Sequence, residues 1–142
     1  MPEEEESFPI GKSQLVREGS DVTLISYGTM MRPTLEAAKI LKEKDGIEAE
    51  VIDLLTLSPM DDSLFTESVR KTGHAVIVHE APRSYGPGAE ILSRLVDKSF
   101  YYLEAPVARV TGFDIITPLF SRENDYIPSA ERILRQTRKT LQ

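Results

Sequence analysis

The hydrophobic pattern of the chain is organised around residues 21–29. This segment, D-V-T-L-I-S-Y-G-T, carries apolar or small side chains in an unbroken run with no charge between Asp21 and Gly28. A strand with one solvated face alternates apolar and polar residues, whereas a strand covered on both faces of a parallel sheet gives a run of this kind. Gly28 and Thr29 break the run, and apolar residues at helical spacing follow. The pattern predicts the strand, turn and helix that open a βαβ unit.

The rest of the chain repeats this alternation. Residues 49–54, 74–80 and 108–111 predict further strands, and residues 14–17 predict a short edge strand protected by Lys12 and Arg17. Residues 81–88 are rich in turn formers, and residues 112–125 have no regular pattern. Four helices are predicted. The first spans residues 30–44, with Thr29 as its cap and Gly46 at its end, and the second is capped by Asp61 or Asp62, carries Leu64, Phe65 and Val69 and ends at Gly73. The third spans residues 89–98, and Pro128 and Ser129 open the last.

Strands that alternate with helices predict an α/β fold, in which helices cover both faces of a mostly parallel sheet. Functional residues in such sheets gather beyond the carboxyl ends of the strands. In this chain those ends are residues 27–29, 53–54, 79–80 and 112–114. A functional site is therefore expected among these four segments.

Composition narrows the class of protein. The chain has 142 residues and a net charge of −6, and four of its acids form the run at residues 3–6. The remaining 19 acidic and 17 basic residues are nearly balanced, so no nucleic-acid partner is expected. No apolar run approaches a membrane span, no signal pattern is visible, and the chain has no cysteine, so a cytoplasmic location is expected. We expect an acidic leader and entry segment at residues 1–13 and a single α/β domain at residues 14–142.

The turn at Gly28 and Thr29 is a first candidate site. Free N–H groups at a helix start can bind phosphate, which would suit a small nucleotide- or anion-binding module. The segment matches neither G-x-G-x-x-G nor a Walker loop with its lysine. A turn glycine followed by a helix cap explains the same residues, so both interpretations stay open here.

His79 and Glu80 form the second candidate, at a strand end. Neighbouring strand residues point to opposite faces, so these two do not form a dyad with each other. His79 could act as a general base or lie at an interface, although no G-x-S-x-G elbow supplies a nucleophile for a hydrolytic reaction. His74 begins the same strand and is expected at the surface, too far away to share a metal with His79. Arg83 and Tyr85, in the following loop, could contact a partner.

Four co-linear segments together resemble one known domain. They are V-R-E-G-S-D-V-T-L-I-S-Y-G-T-M, E-V-I-D-L-x-T-L-S-P-M-D, V-H-E-A-P-R and A-P-V-A-R-V-T-G-F-D. The chain resembles the C-terminal domain of the transketolase group, and most of all the beta subunit of the decarboxylating component of 2-oxoacid dehydrogenase complexes. The resemblance implies a three-layer α/β/α fold whose five strands are ordered 1-3-2-4-5, with the first strand antiparallel.

The resemblance also implies how such a domain works. In the family it joins a larger N-terminal domain, pairs with a second beta subunit and an alpha subunit, and offers a surface to the basic subunit-binding domain of the acyltransferase. The complete enzyme uses thiamine diphosphate and magnesium, neither of which is expected to bind this chain alone. No catalytic, cofactor-binding or metal-binding residue is therefore assigned. The residues expected at interfaces are His79, Glu80, Arg83, Tyr85, Glu104 and Leu141.

Overall fold

A five-stranded sheet forms the centre of the protein. The structure is a computed structural model, and it describes residues 9–142 of the chain. The strand order is β1-β3-β2-β4-β5, with β1 antiparallel to β3 and the other neighbours parallel. Order and direction confirm the fold that the resemblance implies. The strands are β1 (Gln14–Arg17), β2 (Val22–Ser26), β3 (Ala49–Asp53), β4 (Ala75–Pro82) and β5 (Ala108–Gly112).

Helices cover the sheet on both faces and create two apolar cores. One core joins β2 residues Val22 and Leu24 to α1 and α5, and the other joins Ile25 to α2 and α3. All five residues of β2 are buried, as the uninterrupted apolar run predicts. The helices are α1 (Met31–Ile40), α2 (Ser63–Thr72), α3 (Pro87–Ser99), the short α4 (Glu123–Tyr126) and α5 (Ala130–Thr140). No helix of this described part of the chain is long and apolar enough to cross a bilayer.

One predicted helix cap is wrong, and for another only one of the two predicted residues makes a capping hydrogen bond. Thr29 does not cap α1, because a 3₁₀ turn at Gly28–Met30 leads into the helix and the Thr29 hydroxyl donates to Glu80 instead. Asp62 occupies the N-cap of α2 but accepts no capping hydrogen bond, and Asp61 accepts one from the Ser63 N–H. The capping role predicted for Ser129 is confirmed, since its hydroxyl accepts from the Arg132 N–H.

Other boundaries shift by a few residues. The predicted helix at residues 30–44 is an α-helix to Ile40 and then a wider π-helical turn at Leu41–Asp45, which Gly46 ends in a left-handed conformation. Strand β4 continues to Pro82, where it pairs with Gly112 of β5. The segment predicted to be irregular contains the 3₁₀ turn Phe120–Arg122 and α4. Most of the predicted acidic leader lies outside the described residues.

The parallel strands give the sheet two different ends. The carboxyl ends of β2, β3, β4 and β5 lie together, and we call this end the carboxyl edge. The opposite end, where α5 and the loop before β5 finish, is called the amino edge. Because β1 is antiparallel, its first residue, Gln14, pairs with Asp53 at the carboxyl edge. The chain therefore enters the domain on that side.

Candidate functional site

His79 lies beneath the carboxyl edge and not on its surface. The side chain is fully buried, so the prediction that His79 itself contacts a partner is not supported by its position in this chain. Two glycines make room for the ring: a Cβ on Gly88 would lie 2.3 Å from its Nε2, and one on Gly86 would lie 3.0 Å from its Cε1. The start of α3 thus packs directly on the imidazole.

The surroundings of His79 favour a neutral imidazole. Neither ring nitrogen has a hydrogen-bond partner of normal geometry within residues 9–142. Burial lowers the pKa of His79, the backbone of Ala81 partly opposes this, and the positive charge of Arg109 lowers the pKa further. Tyr27 stacks on the ring, with 6.3 Å between the ring centroids. A ring enclosed in this way cannot reach a substrate, so the hydrolytic hypothesis has no general base here.

The turn at Gly28 and Thr29 faces a carboxylate. Glu80 is exposed, and its Oε2 accepts a hydrogen bond of 3.0 Å from the Thr29 hydroxyl. Burial, and then the charge of Glu80, raise the pKa of the neighbouring Tyr27 phenol. A fixed negative charge beside the turn repels a phosphate, so this geometry does not favour the anion-binding module.

The loop after β4 is fastened to the segment after β5. The backbone N–H and the hydroxyl of Ser84 both donate to Asp114, at 2.8 Å each. These two hydrogen bonds are the main reason that the pKa of the exposed Asp114 is lowered. Next to them, Tyr85 is fully exposed and has a φ of 58°, uncommon for a residue other than glycine. The side chain of Tyr85 is therefore presented to solvent from a fixed loop.

Glu104 lies at the amino edge. Its backbone N–H donates to the Gly73 carbonyl at 2.9 Å, and its side chain lies over Gly73, where a Cβ would approach the Glu104 carboxyl carbon to 2.9 Å. The carboxylate is exposed at the rim of a groove of about 620 Å³. Apart from Glu104, this groove is lined by Leu92, Val96, Phe100, Tyr101, Leu103, Ala105, Pro106 and Val107.

Leu141 belongs to the same edge as Glu104. It follows α5, its N–H donates to Thr137, and its side chain packs on the core that α1 and α5 share. Pro106, two residues after Glu104, also borders a second cleft, whose other wall contains Lys139 and Thr140. The fold thus separates the residues expected at interfaces into two groups: His79, Glu80, Arg83 and Tyr85 at the carboxyl edge, and Glu104 and Leu141 at the amino edge.

Two surfaces were not singled out by the sequence. One is the apolar segment after β5, where Ile116, Leu119 and Phe120 are each about nine-tenths exposed. The other is the aromatic wall of the amino-edge groove, including Tyr101. A signal for the first was available, since F-D-I-I-T-P-L-F is strongly apolar without a helix or strand period. Exposure, however, depends on neighbours that the pattern does not give.

Comparison with known proteins identifies the domain. The family model described as transketolase, C-terminal domain, matches residues 11–133. The chain belongs to the transketolase C-terminal domain family. This membership confirms the resemblance found in the sequence.

The similar proteins of this family are longer than the chain. It is 46% identical over its full length to the pyruvate dehydrogenase E1 component subunit beta of Staphylococcus epidermidis, of which it covers 43%. It is 42% identical over 98% of its length to the subunit of the same name from Acholeplasma laidlawii, covering 42%. A solved structure named split gene transketolase, inactive beta4 tetramer, matches 94% of the chain and 42% of its own, with a TM-score of 0.81 and 32% identity. The chain therefore spans less than half of each.

Proposed function

We propose that this chain is the C-terminal assembly and docking domain of the beta subunit of a thiamine-diphosphate-dependent 2-oxoacid dehydrogenase. The complete enzyme would decarboxylate a 2-oxo acid and transfer the acyl group to a lipoyl group. In this proposal the domain positions other parts of the enzyme and is not catalytic by itself. The observation that carries it is the 46% identity, over the whole chain, to a pyruvate dehydrogenase E1 component subunit beta.

The proposal leaves the cofactor to other parts of the enzyme. Within residues 9–142, no three His, Cys, Asp or Glu side chains form a group that could hold a metal ion. The helix start at Gly28 is open, but the Glu80 carboxylate lies beside it and opposes a diphosphate. The described residues do not fit thiamine diphosphate with magnesium, so we assign no step of the reaction to them.

The amino edge supports a docking role. It combines an apolar groove with an exposed carboxylate, Glu104, and with Leu141 at the end of α5. A basic partner, such as the subunit-binding domain of an acyltransferase, would gain orientation and association rate from such a carboxylate. Apolar contacts in the groove would supply the larger part of the binding energy.

A chimeric subunit tests the proposed function. The N-terminal part of the Staphylococcus epidermidis beta subunit is joined to this chain, which replaces the matching 43%, and the product is combined with the corresponding alpha subunit. We expect a stable alpha–beta complex that decarboxylates pyruvate oxidatively when thiamine diphosphate and magnesium are added. The N-terminal part without this chain, under the same conditions, is the control. Failure of the chimera to assemble with the alpha subunit would contradict the proposal.

A further inference from the structure

The carboxyl edge carries an unusually exposed apolar surface. It consists of residues from the loops after β3, β4 and β5, and several are almost as exposed as in an extended chain: Tyr85 104%, Ile116 92%, Phe120 90%, Leu119 88%, Ile115 60% and Leu55 43%. We call these six residues the carboxyl-edge apolar surface. The two aromatic side chains, Tyr85 and Phe120, would each bury roughly 150–250 Å² when covered, so the surface has the size at which apolar patches often mark an interaction site.

This surface is attached firmly to the domain. The bonds between Ser84 and Asp114 hold the loop of Tyr85 against the segment of Ile115. Phe113 anchors that segment from below, with its ring edge-to-face against Tyr126 at 6.3 Å and the Arg132 guanidinium 4.6 Å from its centroid. The apolar residues are therefore held in place at the edge by contacts that do not bury them.

Charge is scarce along the segment that follows β5. In the run from Phe113 to Phe120, Asp114 is the single charged residue, and Ser84 already binds its carboxylate. A partner recognised mainly by charge would find little to contact here. A permanently attached partner suits this segment better, since a large hydrophobic interface is what fixes two domains of one chain relative to each other.

The chain enters the domain beside the same surface. The Ser13 N–H and hydroxyl donate to Asp61, and Gln14 pairs with Asp53, so the residues before β1 lie at the carboxyl edge. Ile10, just upstream, is 86% exposed. Any polypeptide that precedes this domain in a longer subunit is therefore delivered to the carboxyl edge and not to the amino edge.

We infer that the carboxyl-edge apolar surface is covered by the N-terminal part of the same subunit. This inference rests on the proposed function, because the family match is to a C-terminal domain and the similar beta subunits are more than twice as long as the chain. The entry point and the exposed apolar side chains of the charge-poor segment after β5 favour this occupant. The amino edge then stays free for the docking partner of the assembled enzyme.

Site-specific labelling of thiols tests the inference. The chain has no cysteine, so Leu119→Cys places a single thiol in the carboxyl-edge apolar surface, and Tyr101→Cys places a matched thiol on the amino edge, where the side chain is 96% exposed. Each variant is labelled with a maleimide in the 142-residue chain and in the chimeric beta subunit, and the modified peptide is identified by mass spectrometry. Both are surface changes, which usually alter stability by less than about 0.5 kcal/mol.

We expect labelling of Leu119→Cys to slow about tenfold or more in the chimeric subunit, while labelling of Tyr101→Cys stays fast. Equal labelling of Leu119→Cys in the two proteins would overturn the inference. Protection already present in the 142-residue chain, rising with concentration as it dimerises, would overturn it too, because a second copy would then be the occupant. If the chimera does not fold, adding the N-terminal part in trans must give the same protection.

The labelling result is independent of the proposed function. Protection of Leu119→Cys in a chimera that fails to pair with the alpha subunit would support the inference and contradict the proposed function. An active, assembled chimera in which Leu119→Cys is labelled as fast as in the 142-residue chain would support the proposed function and contradict the inference. The two statements can therefore fail separately.

Discussion

Acid should destabilise this chain through His79 in particular. The folded protein holds the imidazole fully buried, and its pKa lies below the ordinary value of 6.5. The unfolded chain leaves the imidazole in water, where it binds a proton near pH 6.5. Below that pH the unfolded state binds more protons than the folded state, so the free energy of unfolding falls as the pH falls. The contribution of His79 is fully present above pH 6.5 and is lost on acidification.

The size of this effect has an upper limit. One group that is protonated only in the unfolded state changes the free energy of unfolding by at most about 1.4 kcal/mol per pH unit. Between pH 7.5 and 5.5, with an unfolded pKa of 6.5, the loss is at most about 1.4 kcal/mol, and any proton that the folded imidazole binds at pH 5.5 reduces it toward about 1 kcal/mol. Glu50 and Asp61 do not change the free energy of unfolding over this pH range. Their pKa values are lowered from 4.5 and 3.8, so the stability that these carboxylates contribute is lost only at pH values below these.

Urea denaturation at pH 7.5, 6.5 and 5.5 measures the effect. His79→Gln removes the titrating ring, and His79→Leu repeats the test with an apolar side chain. His74→Gln is the matched control, because it removes the other histidine of the chain, which lies half-buried just before β4. We expect the wild type and His74→Gln to lose about 1 kcal/mol more than the His79 variants over this range. An equal loss in all four proteins would refute the assignment to His79.

Three further predictions concern the core, the cofactor and the docking edge. Ile25→Ala should lower the free energy of unfolding in urea denaturation by about 2–5 kcal/mol, because Ile25 is fully buried. The control Ile116→Ala, at an exposed position, should lower it by less than about 0.5 kcal/mol, and an equally small loss at Ile25 would mean that β2 is not the central strand. Calorimetry should detect no micromolar binding of thiamine diphosphate with magnesium to the 142-residue chain, and such binding would contradict the assignment of the cofactor elsewhere. In the assembled enzyme, Glu104→Lys should slow association with the acyltransferase subunit-binding domain and flatten the salt dependence of the association rate, whereas the control Glu123→Lys should change neither. Surface plasmon resonance at two ionic strengths measures this rate, and an unchanged rate for Glu104→Lys at low salt would remove Glu104 from the docking surface.

The sequence alone was sufficient for the architecture. The unbroken apolar run of β2 and its repetition along the chain require strands covered on both faces, and such strands occur in parallel sheets flanked by helices. The spatial order of the strands, by contrast, does not follow from this pattern. It came from the resemblance to a known family, because periodicity describes each element locally and does not state which strand lies beside which.

The sequence also located the carboxyl edge but not the state of its residues. The sequence placed His79 at a strand end, but β4 continues to Pro82 and His79 lies inside the strand. Its burial depends on Gly86 and Gly88, which bring α3 onto the ring. Glu50, the second residue of β3, is 97% buried, and Lys71 and the Gly19 N–H donate to its carboxylate from two other segments. Burial by itself would raise the pKa of Glu50, but these hydrogen bonds lower it.

The division of the surface into two edges was decided by the tertiary structure alone. Apolar residues such as Leu119 and Phe120 resemble core residues in the sequence, but nothing in residues 9–142 packs over them. Local pattern determines which side chains favour burial, since that preference depends on their own apolar area. Whether a side chain is buried depends on segments distant in sequence, and these meet only when the chain has folded.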